Sequence, residues 1–304
     1  MSAPGQPLGL IAGAGAMPRR VADAAAKAGR PVFCVLIEGY ARPEDFARFP
    51  HEVVPLGRIG RMMQAMRGAG VRELVMAGRV TRPSLLSLRL DAEGVRLLAK
   101  VGTRAMLGGD DALLTSVLRV LRGEGFEPIG AQEVMGDLLV PAGLLSASAP
   151  DQGSRSDIAR GIAVTRALGA ADVGQCCVVQ QGLVLGVEAI EGTDALLARC
   201  AGLRREGQGG VLVKLVKPDQ EARADLPVIG PDTIRAAAEA GLAGIAIEAA
   251  FGTGKGNAPG HAGTLVVDRA ATVAAADAAG LFLLAIRPDM FLDEMGLNEM
   301  GESR

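Results

Sequence analysis

The chain has 304 residues, 49% of them hydrophobic, with a formal charge of −2, four cysteines, two histidines, one tyrosine and no tryptophan. That length suits two ordinary domains, while the near-neutral charge and scarce aromatics argue against nucleic-acid binding, and apolar runs such as Leu281 to Ile286 fall far short of the roughly 20 residues of a membrane span. No export signal opens the chain and Cys34, Cys176, Cys177 and Cys200 lack metal-binding spacing, so a soluble protein of the reducing cytoplasm is expected, with carboxylates rather than His51 or His261 carrying acid–base or metal chemistry.

In chain order, the segment from Gly9 to Pro18 reads as a buried strand, a glycine turn and a helix begun near Pro18. Unpaired amides at the positive end of a helix dipole suit a phosphate, which nominates Gly13, Ala14 and Gly15; a plain tight turn explains them equally well. The Rossmann fingerprint is incomplete, because Pro18 stands where its third glycine belongs and Glu38 is the only acid near the end of the second strand. An apolar run at Val32 to Ile37, an amphipathic stretch at Ile59 to Arg67 and a second run at Leu74 to Ala77, ended by Gly78-Arg79, continue the alternation of strand and helix that implies a parallel sheet. Met62, Met63 and Met66, interleaved with arginines, fit either a crossover helix burying its methionines or a surface for acyl chains or anionic lipid.

Gly108-Gly109-Asp110-Asp111 heads an expected helix to Arg122, where an aspartate suits the N-cap and can also touch a metal or sugar hydroxyl. The Ser-, Ala-, Pro- and Gly-rich stretch from Pro141 to Ser156 places a boundary between a Rossmann-like domain over 1–145 and a mixed α/β domain over 146–304. In the second half the pattern predicts a helix from Asp157 to Leu168 and strands at Cys176 to Gln180 and Leu183 to Glu188 around a Gln181-Gly182 hairpin turn. A helix from Asp194 to Ala201, a strand from Val211 to Leu215, a helix from Asp232 to Ala240 and a last strand, helix and strand follow. Phe251 to Ala262 reads as a loop, and the tail after Met290 as helical or disordered.

Charge concentrates in three pieces: Asp172 to Gln175, Glu188 to Asp194, and Lys214 to Pro227. Carboxylate oxygens are the ligands Mg2+ prefers, and Lys214, Lys217 and Arg223 are suited to neutralising a diphosphate. A solvated loop with surface ion pairs is the alternative, and strand geometry does not force Glu188, Glu191 and Asp194 into one cluster. Thr193 or Asp194 also suits the cap of the following helix.

Taken together, LGLIAGAGAMP, VMAGRVTRP, GDDALL, DVGQ, VEAIEGTDALLARC and KLVKPDQEARADLPVIGPDTI resemble the LpxI family, the UDP-2,3-diacylglucosamine diphosphatases of lipid A biosynthesis in Gram-negative bacteria. The resemblance implies two α/β domains holding a lipid-linked UDP-sugar between them. It further implies Mg2+-assisted hydrolysis to UMP and 2,3-diacylglucosamine 1-phosphate, with attack at the phosphorus nearer the sugar. Asp225 matches the aspartate on which the family's catalysis depends, as metal ligand or as base. Residues and resemblance together nominate Asp225, Lys214 and Arg223 for catalysis and Asp225, Glu191 and Asp194 for the metal. They nominate Gly13, Ala14, Gly15, Arg79, Thr103, Asp110, Gly174, Gln175, Glu188, Glu191, Gly192, Thr193 and Lys217 for substrate. Peripheral contact with the cytoplasmic face of the inner membrane and a homodimer are left open. Two features depart from the family pattern: the segment from Phe251 to Ala262 together with the tail after Met290, and Glu221, which stands where aspartate is expected. An NAD(P)-dependent oxidoreductase using the first glycine turn, or a nucleotide-sugar-binding protein without catalysis, are the rival readings.

Overall fold

The computed structural model describes residues 5–81, 90–96, 110–218, 226–251 and 263–297, with the side chains of 110–112 also outside the description. Two compact units meet in sequence at Gly136 and Asp137.

The first unit holds a five-stranded, wholly parallel sheet: β1 (Leu8–Ala12), β2 (Val32–Ile37), β3 (His51–Val54), β4 (Glu73–Ala77) and β5 (Glu127–Pro128), in the order β3-β2-β1-β4-β5. The strand β1 is buried at every position, as expected of a parallel strand covered on both faces. Its residues still divide by the two-residue period: Leu8, Leu10 and Ala12 pack with Val21, Ala22 and Ala25 of α1 (Met17–Lys27), while Ile11 joins the opposite core. That opposite core is closed by α2 (Ile59–Gly68) and α3 (Asp110–Gly123), through Met62, Met63, Met66, Leu118 and Leu121. The three methionines are at most 6% exposed. They fill the crossover helix's core face, and the lipid-facing reading of that stretch does not hold. A short helix, α4 (Ala131–Met135), ends the unit. The sequence pattern alone did not reveal β3, β5 or α4, each of five residues or fewer.

The second unit carries a six-stranded mixed sheet, β6-β13-β11-β9-β7-β8. Its parallel centre is β9 (Val211–Lys214), β11 (Gly244–Glu248) and β13 (Phe282–Ile286); β7 (Cys176–Gln180) runs against β9, β8 (Leu183–Val187) against β7, and β6 (Gly143–Leu144) against β13. A two-stranded parallel ladder, β10 (Val228–Ile229) with β12 (Leu265–Val266), lies apart from it. Because β6 pairs with β13, the stretch from Pro141 belongs to the second unit's sheet. The helix expected from Asp157 starts earlier, as α5 (Gln152–Ala170), where the Asp151 carboxylate accepts from the Ser154 amide at 2.8 Å. Gly161 lets α5 lie directly on β9, since a Cβ there would meet Val213 at 2.4 Å. The other face is covered by α6 (Gly192–Ala201), α7 (Pro231–Glu239) and α8 (Arg269–Ala278), and α9 (Pro288–Glu294) returns to pack Phe291 beside Ile158 and Ile162. The β7–β8 turn takes positive φ at both Gln181 and Gly182, the tight hairpin its sequence predicts, and the buried Asp157 carboxylate accepts both amides at 2.9 and 2.7 Å. No helix among the described residues is long and apolar enough to cross a membrane.

Candidate active site

In the first unit, connections run outward on one side of β1 through β2 and β3, then cross back to β4, so the carboxyl ends of β1 and β4 form a topological switch point. Gly13–Gly15 and Gly78–Arg79 lie there together. The Gly13 amide donates to Ala77 O and the Ala14 amide to Arg79 O, both at 2.8 Å, and the Arg79 amide returns a bond to Ala14 O at 2.9 Å. A Cβ on Gly13 would sit 2.7 Å from Arg79 O, and one on Gly78 2.7 Å from both Gly13 C and the Pro18 ring. Two amides expected to face a phosphate are therefore committed to backbone partners. A contact here falls to Gly15, whose φ is +99°, and to the first turn of α1, which no side chain caps. The Arg79 and Glu38 side chains are exposed beside this turn.

The second unit gathers its polar residues on the carboxyl edge of β9 and β11, where β8 also ends and the reversed β7 begins. Glu188 and Lys214 are only 6% and 4% exposed, and burying charge at this depth requires partners. Thr193, in the first turn of α6, supplies them: its hydroxyl accepts from the Lys214 ammonium at 2.7 Å and donates to Glu188 Oε1 at 2.7 Å. Glu188 Oε2 accepts from the Gln175 amide at 3.1 Å. Gly174 is obligatory in this packing, since a Cβ would stand 2.1 Å from Glu188 O. Lys217 pairs with Asp172 at 2.8 Å, bracing the loop that leads to Gly174. Glu191 turns away from Glu188: its carboxylate accepts from the Ala189 amide at 3.2 Å and pairs with Arg199 at 2.8 Å. Its own backbone amide, then Arg199, hold its pKa below the usual carboxylate value. Gly192 makes the turn into α6 with φ +80°, and Asp194 is exposed in the helix's first turn.

Three residues of this edge escape the sequence reading. Glu248, 7% exposed, accepts from the Val216 amide at 2.8 Å, and Thr264, fully buried, donates to Lys214 O at 3.5 Å. Cys176 stands against Thr193 Oγ1 at 3.9 Å; burial, more than its charged neighbours, pushes its thiol pKa far up, with Lys214 opposing and Glu188 adding. Glu248 had a readable signal, a carboxylate closing the apolar strand Gly-Ile-Ala-Ile-Glu. Asp225, Arg223, Glu221, Thr103 and the 252–262 segment lie outside the described residues, as do the side chains of Asp110 and Asp111.

Models of known families match nearly the whole chain: the LpxI N-terminal domain over residues 7–138 and the LpxI C-terminal domain over 141–284. A relative from Caulobacter vibrioides, UDP-2,3-diacylglucosamine pyrophosphatase LpxI, is 44% identical over 288 residues, covering 92% of this chain and 98% of its own. The chain belongs to the LpxI family. Its two α/β units agree with the two LpxI domains, the parallel sheet lying in the first and the mixed sheet in the second. The LpxI match also spans both polar edges described above, at Gly13–Arg79 and at Gly174–Lys217.

Proposed function

We propose that this chain hydrolyses the diphosphate of UDP-2,3-diacylglucosamine in lipid A biosynthesis. The observation that carries this reading is the 44% identity, over 92% of the chain, to a pyrophosphatase of that substrate. The geometry agrees with the chemistry: hydrolysis of a diphosphate builds negative charge on phosphoryl oxygens, and a preorganised buried cation stabilises that charge without reorganisation. Lys214 is such a cation, held at the mouth of a parallel-strand edge. In the proposed reaction a water oxygen bonds to the phosphorus nearer the sugar, the bridging P–O bond breaks, and UMP departs with that bridging oxygen. Asp225, by the family resemblance, acts as metal ligand or as the base for the water, and Arg223 is proposed to act in catalysis with Lys214.

Mg2+ is proposed as a requirement of the reaction. The described residues alone do not furnish its cage: Glu191 is engaged by Arg199, Asp194 is exposed, and among the described residues no group of three His, Cys, Asp or Glu side chains is placed to hold a metal.

The test is incubation of purified protein with UDP-2,3-diacylglucosamine in 18O-water, with Mg2+ or with EDTA. UMP and 18O-labelled 2,3-diacylglucosamine 1-phosphate formed only with Mg2+ would bear the proposal out, and Asp225→Ala should abolish both. Absence of UMP would defeat it in favour of a non-catalytic nucleotide-sugar binder. An oxidoreductase at the first glycine turn is disfavoured by the committed amides of Gly13 and Ala14.

A further inference from the structure

A hydroxyl has one proton to give and two lone pairs to receive. Thr193 uses all three: it donates to Glu188 Oε1 at 2.7 Å and accepts from the Lys214 ammonium at 2.7 Å and from the Cys176 thiol at 3.9 Å. A phosphate oxygen could take the Thr193 proton only by displacing Glu188, so the phosphate contact that a substrate-binding role for Thr193 implies would require breaking a charge-assisted bond. The Lys214 ammonium has the opposite balance. It carries three N–H donors, and among the described residues the Thr193 hydroxyl is the one side-chain acceptor it meets. No direct ion pair joins Lys214 to Glu188; the hydroxyl stands between the two charges, so each is compensated without being spent on the other.

We infer that Thr193 is a positioning residue that acts through Lys214: the Glu188–Thr193 pair fixes one N–H of the buried ammonium and leaves the other two for the diphosphate. This inference rests on the proposed hydrolysis. Each part of the local structure serves it. The first turn of α6 fixes the Thr193 backbone, and the β-branch restricts its χ1. Glu188 is in turn fixed by the Gln175 amide, which Gly174 allows to approach. Position matters because a displacement of about 1 Å in a charge-stabilising group costs as much as roughly 100-fold in rate.

The test uses the full chain as Thr193→Val, Thr193→Ser, Lys214→Met and Thr193→Val/Lys214→Met, each first checked for folding by thermal melting; Thr193→Ala replaces the valine should that variant not fold. With UDP-2,3-diacylglucosamine, Thr193→Val should lower kcat by roughly 10- to 100-fold while KM moves less than about threefold, and Thr193→Ser should recover most of the loss. Adding Thr193→Val to Lys214→Met should cost less than about threefold more, because a residue acting through Lys214 has nothing left to position. Wild-type kcat in Thr193→Val, a serine variant as damaged as the valine, or multiplying losses in the double variant would each overturn the inference. If the wild type releases no UMP, the proposed function fails separately. The same four variants are then compared by calorimetric titration with inorganic diphosphate, where the same ranking sustains the positioning role and equal affinities overturn it.

Discussion

At the ends of β1 and β4 the chain makes its turn by removing side chains, with Gly13 and Gly78 pressed against one another's backbones and the Arg79 side chain left exposed. At the ends of β9 and β11 it buries Lys214, Glu188 and Glu248, with the Thr193 hydroxyl joining the first two. The contrast teaches where each edge's function is coupled to stability. A surface arginine on a rigid backbone is dispensable to folding. A buried ammonium linked to a buried carboxylate through a hydroxyl is not, because removing one member orphans the others.

Lys214→Met is the severest way to sharpen this comparison. It should lower kcat by about 100- to 1000-fold and, by uncovering Glu188, cost about 3 kcal/mol of stability; denaturant titration and UMP release measure the two. Next is Met66→Ala, which tests whether the methionines of α2 are core. A loss of about 2–5 kcal/mol with unchanged KM for the lipid substrate is expected, and an altered KM with native stability would restore the acyl-groove reading. Arg79→Ala should do the reverse, raising KM about tenfold with kcat and melting temperature held; a fall in melting temperature would break the comparison. The smallest effect concerns the thiols. Burial pushes Cys34 up to about 12 and Cys177 up to about 11, so both stay protonated at pH 8 and a thiol reagent should label none of the four cysteines before unfolding. Rapid labelling of the native protein would show that this burial does not persist in solution.

The alternation of apolar strands with amphipathic helices was legible along both halves because buried parallel strands read as continuous runs, as at Val32–Ile37 and Gly244–Glu248. The hairpin was legible too, since Gly182 takes its positive φ without strain between two apolar runs. Short pieces were not: His51–Val54 and Glu127–Pro128 are strands only because a neighbouring strand offers a ladder. At the candidate site, spacing marked Glu188, Thr193 and Lys214 as polar residues on apolar elements, yet the bond between them depends on β7 bringing Cys176 beside Lys214, a register no local pattern encodes. The same limit hid Glu248 and Thr264, which reach Val216 and Lys214 from segments more than 30 residues away.

The reversed direction of β7 has a practical side. Its beginning and the end of β8 lie with Lys214, so the hairpin tip at Gln181-Gly182 points the other way, a strand length or about 17 Å off. Asp157 clamps that tip from α5. A fluorophore or surface tether attached at Gln181 would therefore be carried on a stiff post, remote from Lys214 and still rigidly linked to the strand paired beside it.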